Sequence, residues 1–204
     1  MGTEGTRGRV GRAREFDGAA DRMVADTVVG SAADLTFELW MRSDVEIGYH
    51  RPIEKIASTG TQGWSVLQRP GTDTFPHGLI FRIGAESSYG GWGNEVSASD
   101  VYSVDTWEHV VGTYDSATNT GRLYVNGVEV DSVVNSDGRG VANTTEPLLI
   151  GSADGPEPFD GRIDEVRIST VARSATYVSA QYESQNDDFI QYGSEMPVGL
   201  ACPE

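Results

Sequence analysis

Apolar and polar residues alternate with a period of two along most of the chain, and that period belongs to strands rather than helices. In Leu35 to Arg42 the residues Leu35, Phe37, Leu39 and Met41 fall on one face, while Thr36, Glu38, Trp40 and Arg42 fall on the other. One face therefore reads as core and the other as mixed. Further strands are predicted at Pro52 to Ser58, Trp64 to Gln68 and Gly78 to Ile83, separated by the turn signals Thr59-Gly60, Arg69-Pro70-Gly71 and Pro76-His77-Gly78. Trp107 to Tyr114 and Leu123 to Val134 continue the pattern across a polar turn around Ser116 to Thr120, and Asn126-Gly127 supplies residues that tolerate positive φ. A sandwich of about a dozen short strands follows. Helical spacing is persuasive only over Ser174 to Glu183, where Ser174 can cap and Ala175, Val178 and Tyr182 share a face. This predicts an all-β fold with one short C-terminal helix docked on the sandwich.

With 204 residues, a single domain with a full hydrophobic core is expected. Residues 1–9, rich in Arg and Gly, read as a disordered N-terminal segment, residues 10–185 as the domain, and residues 186–204 as a linker toward a further domain. The tail loses periodicity and carries Pro197 and Pro203. The formal net charge of -16 argues against nucleic acid and anionic membranes, which reward basic patches. Divalent cations are better suited to such a surface. Lys55 is the only lysine and Cys202 the only cysteine, so no intrachain disulfide contributes to stability. No run has the length of a membrane helix, and the first residues lack the apolar segment of a signal peptide.

Several segments occur in a recognisable order: GRAREFDGAADRMV at Gly11 to Val24, LTFELWMR at Leu35 to Arg42, WEHVVGTYD at Trp107 to Asp115, YVNGVEV at Tyr124 to Val130, Leu148 to Gly151, and FDGRIDEVRIS at Phe159 to Ser169. Together they resemble the concanavalin A-like lectin/glucanase fold, in its laminin G-like jelly-roll branch, over roughly residues 10 to 183. The resemblance implies a β-sandwich of bacterial surface or secreted proteins. One such fold hosts many functions, so the function has to be argued from a site.

Catalysis finds little support in these residues. Retaining glycosidases need two carboxylates about 5 Å apart, which an E-x-D-x-E string on one strand would supply, and no such string occurs. Glu129 and Asp131 alternate on one strand and read as a solvated edge. His50, His77 and His109 are scattered, no serine sits in a nucleophile elbow, and one cysteine does not make a zinc site. The expectation is a non-enzyme.

Asp164 is the most informative acid, because alternation places it on the face of Val166 and Ile168, near the core boundary. A charge there needs compensation. Backbone amides or an arginine such as Arg22 can provide it. The resemblance adds calcium, which members of the family hold where the first strand meets the last, and on this chain that implies Asp17, Asp21 and Asp164 as ligands. It also implies a weaker rim site in the acidic loop Ser152 to Asp160, with Asp154 and Asp160.

Sugar recognition requires aromatic platforms with polar groups around them. Trp40 and Trp107 sit in strand patterns and read as packing. Tyr89, Trp92 and Asn94 fall in a glycine-rich stretch suited to loop presentation, and Trp64 and Tyr49 are further candidates. The leading expectation is therefore a carbohydrate-binding, lectin-like module of a larger extracellular or cell-surface protein. A structural or adhesive spacer contacting protein partners is the alternative, and a degenerate glycoside hydrolase the third.

Overall fold

The computed structural model describes residues 4–25, 33–56, 63–84, 94–135, 140–141, 146–151 and 157–186. Two antiparallel sheets form a sandwich. The first has the order β1-β2-β13-β4-β9-β10-β11, built from β1 (Glu4–Arg7), β2 (Arg12–Asp17), β4 (Leu35–Ser43), β9 (Trp107–Asp115), β10 (Thr120–Val125), β11 (Val128–Val134) and β13 (Asp160–Ser169). The second has the order β3-β12-β5-β6-β7-β8, built from β3 (Met23–Ala25), β5 (His50–Ile56), β6 (Gly63–Gln68), β7 (Leu79–Ile83), β8 (Asn94–Ala98) and β12 (Leu148–Ile150). The all-β sandwich expected from the periodicity, and the jelly roll implied by the resemblance, are thus present.

The core lies between the sheets and is centred on Phe37 of β4. Trp64 stacks on Phe37 at 5.3 Å and Phe81 meets it edge-on at 5.0 Å. Phe37 pairs across the ladder with Gly112, where a Cβ would lie 2.0 Å from the phenyl ring. A glycine is required at that position by space alone. Asn126 and Gly127 have φ of 51° and 79°, the doubly left-handed turn that joins β10 to β11 with the native twist.

The helix α1 (Ala175–Gln185) begins at Ser174, whose hydroxyl accepts from the amide of Tyr177 at 3.3 Å. It packs on the outer face of the seven-stranded sheet. Tyr182 stacks on Trp40 and His109, and Val178 joins Val111 and Tyr124 in a second small core. Ala175 is exposed, so only Val178 and Tyr182 of the predicted stripe face the sheet. Because of this helix both faces of β4 are buried: Glu38 and Trp40, on the face predicted to be mixed, are 3% and 2% exposed. Glu38 accepts from Arg167 at 2.9 Å and lies 3.2 Å from His109 Nε2.

Three local expectations are corrected. Residues Glu4–Arg7 form β1 against β2, where residues 1–9 were expected to be disordered; an extended segment with free amides completes the sheet edge. The pairing of β13 with β4 shifts between Asp164 and Arg167, and Glu165 there adopts φ 50°. This bulge reverses the alternation, so Ile163 lies in the core together with Val166 and Ile168, and Asp164 leaves the face they share. A second shift, between Leu123 and Tyr124, sets Asp131 opposite Leu123 and Glu129 opposite Tyr124. Those two acids therefore do not share one face.

Candidate functional site

No described helix lies on the outer face of the six-stranded sheet. Along β5 to β8 the residues Ile53, Val66, Phe81 and Val96 point inward to the core, so their neighbours Glu54, Ser65, Arg82 and Glu95 point outward. The register aligns these four in a single row, Glu54 opposite Ser65, Ser65 opposite Arg82, and Arg82 opposite Glu95. Leu149 and Val24 extend the row onto β12 and β3. The result is a ladder across all six strands, apolar at one end and charged at the other.

The charged part is nearly shut off from water. Glu54, Ser65 and Arg82 are 4%, 0% and 9% exposed. Arg82 Nε donates to Glu95 Oε1 at 2.9 Å, and Arg51 donates to Glu54 at 3.1 Å and forms an ion pair with Glu157 at 2.7 Å. Burial lowers the pKa of the Arg82 guanidinium and the Glu95 carboxylate opposes that shift. Ser65 Oγ is buried without a hydrogen-bond partner among the described residues. Arg51, Glu95 and Glu157, partly exposed, form the accessible rim of the row.

The predicted site residues distribute unevenly around this face. Tyr89 and Trp92 lie outside the described residues, in the connection between β7 and β8 that begins just beyond the Arg82–Glu95 pair. Asn94 opens β8 opposite Ile83. Trp64 is corrected: it is 5% exposed and stacked within the core, so its ring has no face left for a ligand. Tyr49 is 43% exposed on the loop before β5, with its hydroxyl donating to Asp73 at 2.8 Å. That bond raises the Tyr49 pKa and lowers that of Asp73.

The carboxylates assigned to calcium do not converge. Asp164 Oδ2 accepts from the Val10 amide and Oδ1 from the Glu165 amide, each at 2.9 Å, so backbone amides compensate the charge. Asp17 pairs across the ladder with Asp160 rather than with Asp164, which lies roughly 13 Å further along the strand at about 3.3 Å per residue. Asp17 Oδ1 receives the amides of Ala19, Ala20 and Asp21, which lowers its pKa. Asp160 is pushed up by burial and by the charge of Asp44. Among the described residues no group of three His, Cys, Asp or Glu side chains is arranged to hold a metal. Asp154 lies outside the described residues. These residues do not fit the calcium site implied by the resemblance.

The jelly-roll order of strands agrees with the family comparison. A family model described as the concanavalin A-like lectin/glucanases superfamily, in its third laminin G group, matches residues 17–179. The chain belongs to this family. No curated protein matches it. Among solved structures it is similar to the native heptameric SAP-like pentraxin of Limulus polyphemus, with TM-score 0.67 and 14% identity over 82% of this chain and 80% of that one. It is also similar to the sialidase CBM40 of Ruminococcus gnavus bound to α2,3-sialyllactose, with TM-score 0.67 and 12% identity over 89% and 97%. Domain 4 of the extracellular arabinanase AbnA of Geobacillus stearothermophilus, in complex with arabinotriose, gives TM-score 0.66 and 18% identity over 88% and 80%. At such identities the likeness establishes a shared fold. No described helix of this laminin G-like domain is long and apolar enough to cross a membrane.

Register across four strands is not legible residue by residue. Glu54, Ser65, Arg82 and Glu95 each sit beside a core residue, as in Trp64-Ser65-Val66 and Phe81-Arg82-Ile83. That alternation was visible; their alignment into one row was not.

Proposed function

We propose that this domain is a non-catalytic carbohydrate-binding module of a larger extracellular or cell-surface protein, and that the outer face of its six-stranded sheet receives the sugar. The observation that carries this reading is the in-register row Glu54–Ser65–Arg82–Glu95, which holds charged groups out of water on a sheet face with no helix over it. Apolar side chains would occupy such a face at lower desolvation cost. Carboxylates accept from sugar hydroxyls and guanidinium groups donate to them, so Arg51, Arg82, Glu95 and Glu157 offer both halves of the recognition. Tyr89 and Trp92, close in sequence to the row, are the aromatic platforms of the proposal. Solved structures of the same fold hold arabinotriose and sialyllactose, which supports the ligand class.

The hydrolase alternative is disfavoured by spacing. Glu54 and Glu95 are three strands apart, about 14 Å at the usual strand separation, whereas glycosidase pairs stand about 5 to 9.5 Å apart. Glu54 and Glu157 are closer, but the Arg51 guanidinium pairs with both and fills the space a glycosidic bond would need. With two arginines against three glutamates, and a net charge of -16, neutral glycans suit this face better than sialylated ones.

The test is calorimetric titration of the domain with neutral polysaccharides, including arabinan, xylan and β-glucan, beside sialylated oligosaccharides, in calcium-containing buffer. Saturable binding of a neutral glycan, weakened at least tenfold by Arg82→Met and by Trp92→Ala in folded protein, is expected. A null across the panel on folded protein would transfer the assignment to the spacer reading.

A further inference from the structure

At the opposite side of the sandwich from β8, the two sheets part. A groove of about 500 Å³ opens between β2 and β13 on one side and β3 and β12 on the other. Its walls are apolar: Phe16, Leu148, Ile150, Ile163, Val166 and Ile168. The bulge at Glu165 builds the β13 wall, because it turns Ile163, Val166 and Ile168 to the same face despite their uneven spacing.

Two arginines face this apolar space. Arg14 pairs across the ladder with Ile163, which is core, so its side chain projects from the inner face of β2, the face that Arg12 and Phe16 share with it. Arg14 Nε is shielded from water and has no hydrogen-bond partner among the described residues. Neither Arg12 nor Arg14 forms an ion pair with a described carboxylate. The two acids at the groove are already engaged, Asp164 by the amides of Val10 and Glu165, and Glu165 by Arg167. With Glu165 paired to Arg167, the positive charges of Arg12 and Arg14 outnumber the amide-bound carboxylate of Asp164, so the groove carries net positive charge on a protein that is strongly negative overall. Inward charges can guard a sheet edge against pairing, but β2 is covered by β1 and needs no such guard.

We propose that this groove binds a small amphipathic carboxylate, with its apolar tail between the sheets and its head on Arg14 and Arg12. The volume falls within the ordinary range for small-molecule pockets, about 300 to 1,000 Å³. The negative charge of the rest of the surface acts weakly at this distance, since screening in physiological salt sets in over about 8 Å. The head group is recognised by a guanidinium whose Nε is shielded from water, and the tail by the apolar side chains that run from Phe16 to Ile168 along the groove.

The test uses decanoate, with decanol and decyltrimethylammonium of the same chain length as controls, titrated into the whole domain by calorimetry and by amide chemical shifts. Saturable one-to-one binding of decanoate is expected, with shifts confined to β2, β3, β12 and β13, and with at least tenfold weaker binding of both controls. Arg14→Gln, on a half-buried side chain, should weaken decanoate at least tenfold without changing the melting profile. Val166→Trp should fill the groove and abolish binding; should that variant fold poorly, Arg14→Gln and the head-group comparison still decide. Absence of saturable binding, equal binding of decyltrimethylammonium, or unchanged affinity in Arg14→Gln would overturn the proposal. So would a concentration-dependent dimer in sedimentation that buries β2 and β12, because the groove would then belong to a second copy. Glycan binding on the outer face of the six-stranded sheet is measured separately, so either assignment can fail alone.

Discussion

Trp64→Ala distinguishes core from ligand contact most sharply. The indole is 5% exposed and lies parallel to Phe37, with the ring planes 6° apart and the centroids separated by 5.3 Å. A buried tryptophan removes roughly 150 to 250 Å² from water, which at about 25 cal/mol per Å² corresponds to roughly 4 to 6 kcal/mol. That is an upper figure, since an unfolded chain already shields part of this area. Measured Phe or Trp to Ala changes in cores cost about 3 to 5 kcal/mol, so a loss near 4 kcal/mol is expected. For a domain of this size each kcal/mol moves the midpoint by about 2 to 4 °C, giving a fall on the order of 10 °C. Urea unfolding followed by circular dichroism reads the loss directly, and Trp64→Phe, which keeps a stacked ring, should recover more than half of it. A loss under about 1 kcal/mol accompanied by vanished sugar binding would refute the core assignment and return Trp64 to the ligand face.

Other perturbations follow from individual sites. Glu38 is buried, which raises its pKa, but the hydrogen bond from His109 and the charges of His109 and Arg167 outweigh burial and the net shift is downward. Its contribution is therefore complete above the unfolded value near 4.3 and is lost as pH falls through the lower folded value. Unfolding free energy should drop more steeply below about pH 4.5 in the wild type than in Glu38→Gln; parallel curves would show that Glu38 is not linked. Gly112→Ala should cost more than about 1 kcal/mol by overpacking against Phe37, and a variant with an unchanged denaturation midpoint would contradict the close approach. Asp164→Ala strands two backbone amides and should cost about 1 to 3 kcal/mol for each that stays unpaired, equally in calcium and in chelator. A loss seen only in calcium would restore Asp164 as a metal ligand.

What the sequence made legible and what it hid separate along physical lines. Alternation over Leu35 to Arg42 located β4, and Asn126-Gly127 located the turn between β10 and β11, because both signals are local. Ser174 marked the helix start for the same reason. Alternation failed at Asp164, since a bulge inserts a residue without any local mark in FDGRIDEVRIS, and one residue out of phase moves a side chain to the other face. The face of β4 carrying Glu38 and Trp40 looked half-solvated because the element that covers it, α1, lies far away in the chain. Trp64 looked available for stacking because its partner Phe37 is likewise remote in sequence.

The two outer faces of the sandwich treat their buried polar groups differently, and the proposed recognition role rests on that difference. On the seven-stranded sheet Glu38 is answered from within the chain by His109, Arg167 and Gln185, and Trp40 packs against the Tyr182 ring and the Arg9 guanidinium, although the buried His109 Nδ1 has no hydrogen-bond partner among the described residues. That face is closed by α1. On the six-stranded sheet the polar row is answered only in part, because Arg82 has Glu95 and Glu54 has Arg51, while the Ser65 hydroxyl between them is left without a described partner. A buried hydroxyl without a partner costs free energy that a neighbouring apolar residue would avoid. Its place between Glu54 and Arg82 is the reason the proposed sugar site is set on this face rather than on the helix side.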